Sequence, residues 1–149
     1  MLKQITMGIL TILLFISVTT KAQGKLGFVG KIFDKKEATI LFGDVKSTLE
    51  LKSGVLKRAL LLSTDYVLIY VKNGKVSIAN EKKQVLAGDV QTIGTTETVY
   101  IFSKDKVAEF VSLIGGSPIL VEQRSSTLTI TAGEVTLEQS MPCPPICPW

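Results

Sequence analysis

One stretch decides the fold class of this chain: TLTITAGEVTLE, residues 127–138. Leu128, Ile130 and Ala132 alternate with threonines, and the alternation resumes after Gly133. Strict alternation of apolar and polar residues is typical of a strand with one buried face, and a glycine between two such runs favours a turn. The stretch therefore predicts a β-hairpin whose threonine-rich face contacts solvent.

A second hairpin is predicted upstream, in the stretch YVLIYVKNGKVSIA at residues 66–79. Its first six residues are apolar on both faces, which predicts a strand in the middle of a sheet. Asn73-Gly74 follows, and this dipeptide is a strong hairpin signal because both residues accept positive φ. Val76 and Ile78 are then expected on the return strand.

Other short apolar runs lie between Gly, Asn, Asp and Ser residues and predict further strands. These runs fall at residues 26–32, 40–42, 45–52, 90–93, 98–102 and 119–122. The charged residues 34–37 are expected to form a turn before the run at 40–42. Gly-x-Val units recur at irregular intervals, so they indicate turns that lead into strands rather than a repeat of fixed period.

One segment departs from the strand pattern. Val107, Phe110, Val111 and Ile114 fall at the spacing i, i+3, i+4 and i+7, which predicts one short helix over about 104–114. The residues between 23 and 139 are therefore expected to form one mostly β domain, an antiparallel sandwich or a partly open barrel with a single short helix.

The amino terminus has the pattern of a secretory signal peptide, residues 1–22. Lys3 precedes a nearly continuous apolar stretch, and Thr20 and Ala22 supply small residues before a cut at Gln23. The apolar stretch is shorter than the about 20 residues of a comfortable membrane span. We therefore expect export to the periplasm or the extracellular space of a bacterium, with no stable membrane span after cleavage.

Composition excludes several classes of function. The chain has no histidine, which rules out Ser-His-Asp and Cys-His nucleophiles and histidine-based metal sites. Cleavage removes Lys3 and Lys21 and no acid, so the net charge falls from +4 to +2. With only two arginines and no basic cluster interleaved with aromatic residues, nucleic-acid binding is not expected. No cofactor is implied, and the expected partners are an envelope protein, a glycan or a second copy of the chain.

The last ten residues, 140–149, form a tail that holds four of the five prolines and both cysteines, Cys143 and Cys147. The prolines favour an extended, polyproline-like backbone, so we expect the tail to project from the domain rather than pair into a sheet. Disulfides persist in exported proteins, and a small Cys143–Cys147 ring is the favoured interpretation. Trp149 is either an exposed recognition anchor or a side chain that folds back onto an apolar patch.

The pattern as a whole predicts a non-enzymatic binding or structural protein, since no nucleophile, base or phosphate-binding motif is recognisable. Four alternatives stay open. The cysteines link the chain to a partner, or they act in metal or redox transfer, with Met141 as a further soft ligand for a metal ion. The hairpin at residues 127–137 serves as an exposed edge for self-assembly. Asp44 and Asp89 converge as the carboxylate pair of a hydrolase.

Overall fold

The computed structural model describes residues 28–89, 92–125, 127–138 and 140–143, the last three of them by their backbone alone. The predicted signal peptide lies outside these residues. Ten strands and three helices are formed within the described ranges. The helices are α1 (Lys35–Phe42), α2 (Ser53–Leu62) and α3 (Lys104–Leu113). The strands are β1 (Lys31–Asp34), β2 (Ser47–Leu51), β3 (Tyr66–Lys72), β4 (Lys75–Ala79), β5 (Val85–Gly88), β6 (Val99–Ser103), β7 (Ile119–Gln123), β8 (Leu128–Ala132), β9 (Val135–Glu138) and β10 (Met141–Cys143).

The strands form two antiparallel sheets of five strands each. Sheet 1 has the order β1-β9-β8-β7-β2, and sheet 2 has the order β10-β6-β3-β4-β5. The mostly β antiparallel sandwich predicted from sequence is confirmed. Both predicted hairpins are present as β8–β9 and β3–β4, and Asn73 and Gly74 turn the second with φ values of 51° and 71°. Strand β3 is the middle strand of sheet 2, as its two apolar faces indicate.

The main hydrophobic core joins the inner faces of the two sheets with α2 and α3. Strands β1 to β9 each contribute residues of one alternation phase, and each of the two helices contributes a pair spaced i, i+3. Leu56 and Ala59 of α2 and Val107 and Phe110 of α3 are fully buried. The main core therefore lies between the two sheets, and α2 and α3 complete it with the same spacing of apolar residues.

The helix predicted at about 104–114 is confirmed as α3, but the expectation of a single helix is wrong. Residues 34–37, expected as a turn, and the run at 40–42, expected as a strand, belong to α1 and its N-cap. The Asp34 carboxylate accepts a hydrogen bond from the Lys36 backbone N–H at 2.8 Å, which caps this helix. Gly43 ends α1 at φ 80° and donates its N–H to the Thr39 carbonyl at 3.0 Å.

The second helix missed from sequence, α2, occupies the apolar run at 53–62.

The fold contains an internal repeat. Strand β2, helix α2 and the meander β3-β4-β5 form one unit, and β6, α3 and β7-β8-β9 form a second unit in the same order. The first strand of each unit pairs with the meander of the other, β2 with β7 and β6 with β3. The two units therefore exchange their first strands, so that each sheet contains the meander of one unit and the first strand of the other.

The register of the strands is preserved across the repeat. Ile69 pairs with Ile78 in sheet 2, and Val121 pairs with Ile130 in sheet 1, each 52 positions later. Equivalent residues of the main core are 51 or 52 positions apart. The pairs are Leu51/Phe102, Leu56/Val107, Ala59/Phe110, Val67/Ile119, Ile69/Val121, Val76/Leu128 and Ile78/Ile130.

The tail differs from expectation in its first part. Residues 141–143 form β10, which pairs with β6 at the edge of sheet 2, with Met141 opposite Ile101 and Cys143 opposite Val99. The expectation that the tail avoids the sheets is thus wrong for this part. An edge strand tolerates proline because one side of its backbone needs no ladder hydrogen bond, which accommodates Pro142.

Candidate functional site: a buried polar face and the helix that covers it

The outer face of sheet 1 is polar, yet it is buried. Thr129, Thr131 and Thr136 have 0%, 1% and 0% of their surface exposed. The prediction that the threonine-rich face of the 127–138 hairpin contacts solvent is therefore wrong. The reason is α1, which packs on β1 and β9 and covers this side of the sheet.

Helix α1 is held on the sheet by contacts at its middle and at its carboxyl-terminal end. The ring of Phe42 packs edge-to-face on that of Phe33 in β1, with centroids 5.3 Å apart. Ala38 is fully buried at the interface with the sheet. Arg124, which follows β7, donates hydrogen bonds to the Gly43 carbonyl and to the Thr39 hydroxyl. A cation at this position complements the negative end of the helix dipole. Arg124 therefore stabilises the carboxyl-terminal end of α1.

The same arginine forms a buried ion pair. Arg124 Nη2 lies 2.9 Å from Glu122 Oε2, and the two side chains are 0% and 4% exposed. The Glu122 carboxylate also accepts hydrogen bonds from Thr131 at 3.0 Å and from Thr129 at 3.3 Å. A buried charge pair is tolerated only when its remaining hydrogen-bonding groups are satisfied, and the threonines serve that purpose.

A second buried carboxylate, Glu138 on β9, shares this face. It accepts a hydrogen bond from the Thr127 hydroxyl, and Thr131 and Thr136 are 3.1 Å apart between the two acids. Glu122 and Glu138 are 3% and 2% exposed beneath α1. Both carboxylates are thus covered and hydrogen-bonded, and Glu122 is joined to α1 through Arg124.

The outer surface of α1 has the opposite character. Ile40 and Leu41 are 84% and 56% exposed. Beside them lies a shallow, mostly apolar groove of about 420 Å³, lined by Lys35, Lys36, Thr39, Ile40 and Glu134. The side of α1 that faces the sheet is thus fixed through Ala38 and Phe42, whereas its outer side exposes apolar residues beside two lysines. We call Ile40, Leu41, Lys35 and Lys36 the α1 surface.

A smaller cluster lies on sheet 2, where Lys72 contacts the Glu97 carboxylate beside Tyr70. Hydrogen bonds from Lys72 and from the Gly94 backbone, together with the neighbouring Tyr70 hydroxyl, lower the pKa of Glu97 to about 2. The hydrogen bond to Glu97 raises the pKa of Lys72. Burial, together with the neighbouring Glu97, raises the pKa of Tyr70. These shifts hold the ion pair charged and the phenol neutral around pH 7.

Several residues singled out from sequence are not brought together. Asp44 lies in the loop before β2 and Asp89 follows β5; both are exposed, and they belong to the margins of different sheets. The hairpin at 127–137 is not an edge, since β8 lies between β7 and β9, and β9 between β8 and β1. Self-assembly through that hairpin is therefore excluded in this fold. Cys143 ends β10, while Cys147 and Trp149 lie outside the described residues.

Sequence reasoning missed the α1 surface and the buried ion pair. A signal for the helix was present, since Asp34 precedes Lys35-Lys36-Glu37 as an N-cap precedes a charged first turn. No comparable signal marks Glu122, in β7, and Arg124, which follows β7, since their alternate spacing is that of an ordinary solvent-facing pair.

Comparison with known proteins finds no matching family model, no matching curated protein and no matching solved structure. No helix within the described ranges has the length and hydropathy needed to cross a bilayer. The same residues contain no cluster of three or more His, Cys, Asp or Glu side chains placed to hold a metal ion.

Proposed function

We propose that this chain is an exported, non-enzymatic binding protein of the bacterial envelope or extracellular space, with a tail closed by a Cys143–Cys147 disulfide. The signal-peptide pattern of residues 1–22 supports export. The proposal for binding depends on one observation above all, the exposed Ile40 of the α1 surface on a helix whose other side is fixed by a buried ion pair.

A rigid helix with exposed apolar side chains is suited to docking. Ile40 and Leu41 expose large apolar side chains on a well-anchored helix, and such side chains bind best when little flexibility is lost on contact. Lys35 and Lys36 border the groove on the side of the helix, and Glu134 lines it as well. The complementary partner is a protein segment that presents an apolar side chain flanked by carboxylates.

The experiment compares two equally exposed apolar positions on different helices. A photo-crosslinking amino acid is placed at Ile40 or at Leu61, each of which is 84% exposed, and the protein is illuminated in the intact bacterium. We expect a discrete adduct from position 40 and none from position 61. Introducing Lys35→Glu and Lys36→Glu into the position-40 protein should abolish the adduct, and both substitutions suit the first turn of a helix.

Equal adducts from both positions, no adduct from either, or an adduct that survives both lysine substitutions would each contradict docking through the α1 surface. An adduct with the mass of two chains identifies the partner as a second copy, which replaces the proposed carboxylate-bearing partner by self-association.

The tail is tested separately by the intact mass of the exported protein. A start at Gln23 and a mass two hydrogens below the reduced form, with no alkylation before reduction, support the closed ring. Free thiols, bound metal or a covalently attached partner would overturn it and favour a role for Cys143 and Cys147 in metal or redox transfer.

A further inference from the structure

The outer face of sheet 2 is apolar, in contrast to the outer face of sheet 1. Its side chains come from three neighbouring strands and are between 0% and 6% exposed. They are Tyr66, Leu68, Tyr70, Ala79, Val99 and Ile101. We call these six residues the β3–β6 apolar face.

The described residues supply little apolar cover for this face. Its cluster includes Val29 and, partly buried, Ile93 from outside the sheet, and no residue of a described helix. The Lys72–Glu97 pair lies beside Tyr70 at one end of the face. Since a core residue typically touches six or more others, we expect a further apolar segment over the rest of the face.

Strand β10 brings the tail to this face. Its residues Met141 and Cys143 lie opposite Ile101 and Val99, both members of the β3–β6 apolar face. The six residues that follow, Pro-Pro-Ile-Cys-Pro-Trp, carry no charged side chain. Strands β6 and β3 lie one and two strand spacings from β10, about 5 and 10 Å, so a segment that turns back at the end of β10 can reach Val99 and Tyr70.

We propose that residues 144–149 cover the β3–β6 apolar face, with Trp149 seated on Val99 and Tyr70. The inference rests on the ring of the proposed function, because a disulfide holds its two Cα atoms about 6 Å apart. Cys147 then stays beside the end of β10, and Trp149, two residues later, remains within reach of the neighbouring strands. An indole buries about 150–250 Å², an area suited to this face.

The other segment available to the exported protein fits the face less well. Residues 23–27, Gln-Gly-Lys-Leu-Gly, lead directly to Val29, but they contain a lysine, two glycines and one large apolar side chain. The tail offers two large apolar side chains and three prolines over a similar length.

The test uses the single tryptophan of the chain as its own reporter. In the exported protein from Gln23, the fluorescence of Trp149 should be blue-shifted and its quenching by acrylamide several-fold weaker than in an exposed control. The control carries Trp149→Phe and Ile40→Trp, which moves the tryptophan to a position that is 84% exposed in the parent protein. Solvent-like emission from Trp149 would overturn the proposal.

The intact mass, measured on the same sample, separates this inference from the ring on which it rests. A closed ring with an exposed Trp149 overturns the cover alone. A protected Trp149 with free thiols supports the cover and overturns the ring. Protection that disappears on dilution shows that a second copy supplies the cover, which overturns the intrachain arrangement.

Truncation gives an independent readout. A chain that ends at Cys143 should bind an apolar dye several-fold more strongly than the full exported chain, because the face loses its cover. The matched control removes residues 23–27 instead and should change dye binding little. The reverse result, with more dye bound only after removal of residues 23–27, would assign the cover to the amino-terminal segment and contradict the proposal.

Discussion

Two equivalent positions of the repeat show how the same backbone supports different chemistry. Tyr70 and Lys72 of β3 correspond to Glu122 of β7 and to Arg124, which follows β7, each 52 positions later. The Arg124–Glu122 pair has 0% and 4% of its side chains exposed, whereas Lys72 and its partner Glu97 are 50% and 25% exposed. Each unit thus has a cation at the end of the equivalent strand. The cation is buried on sheet 1 and half-exposed on sheet 2.

The difference comes from the segment that precedes each unit. Helix α1 precedes β2 and lies across sheet 1, while β6 is preceded by the loop at 92–98. Beneath a helix, polar groups must pair with one another, which explains the network of threonines around Glu122. The position of the covering helix therefore explains why the cation is buried on sheet 1 and exposed on sheet 2.

The strongest contrast is expected from removing each cation. Arg124→Ala leaves the Glu122 charge buried without its partner and should lower the free energy of unfolding by about 3–5 kcal/mol. The equivalent change Lys72→Ala acts on an exposed pair and should have little effect. Urea denaturation measures both, and equal losses would show that burial beneath α1 does not determine the contribution of the pair.

A double variant sharpens the same comparison. Glu122→Leu with Arg124→Met removes both charges and keeps an apolar filling, so it should recover much of the stability lost in Arg124→Ala. No recovery would indicate that the hydrogen bonds from Arg124 to Gly43 and Thr39, rather than its charge pairing, stabilise the face.

The N-cap of α1 is expected to matter to a moderate degree. Asp34→Ala removes the hydrogen bond to the Lys36 N–H and should destabilise the protein by about 0.5–2 kcal/mol. Lys52 occupies the N-cap position of α2 without a side-chain hydrogen bond, so Lys52→Ala is the matched control. Thermal unfolding should separate the two variants, and identical curves would contradict a contribution from the Asp34 cap.

The inner faces should behave alike where the outer faces differ. Ile78 and Ile130 are equivalent, fully buried and chemically identical. Ile→Val at either position should cost about 0.5–1.5 kcal/mol, with the two values close to each other. Denaturant unfolding of both variants checks this expectation, and a large inequality would show that the repeat is preserved in register but not in packing.

The smallest effect is expected from acid. Because the pKa of Glu97 is lowered from 4.5 to about 2, its ionised form adds stability that is present above pH 4.5 and is lost as the pH falls towards 2. Glu97→Gln should therefore unfold more readily than the parent at pH 6, and the difference should shrink towards pH 2. A constant difference across this range would rule out ionisation of Glu97 as its source.

The exchange of first strands could not be predicted from the Gly-x-Val units. These glycines do not occupy equivalent places in the two units, since Gly133 turns β8 into β9 while Gly74 turns β3 into β4. The repeat is carried by the spacing of buried residues, which differ in identity at most pairs. Identical composition is not needed for equivalent burial, because any apolar side chain of suitable size satisfies the same position.

The sequence alone determined the strand faces, both hairpins and α3, because these follow from local periodicity and from residues such as Asn73 and Gly74 that accept positive φ. The covering of the faces was decided only by the tertiary structure. Alternation in residues 127–138 separates an apolar face from a polar one, but burial of Thr129 and Thr136 depends on α1, which lies about 90 residues away in the chain. Local patterns specify which way a side chain points, and only packing specifies what it meets.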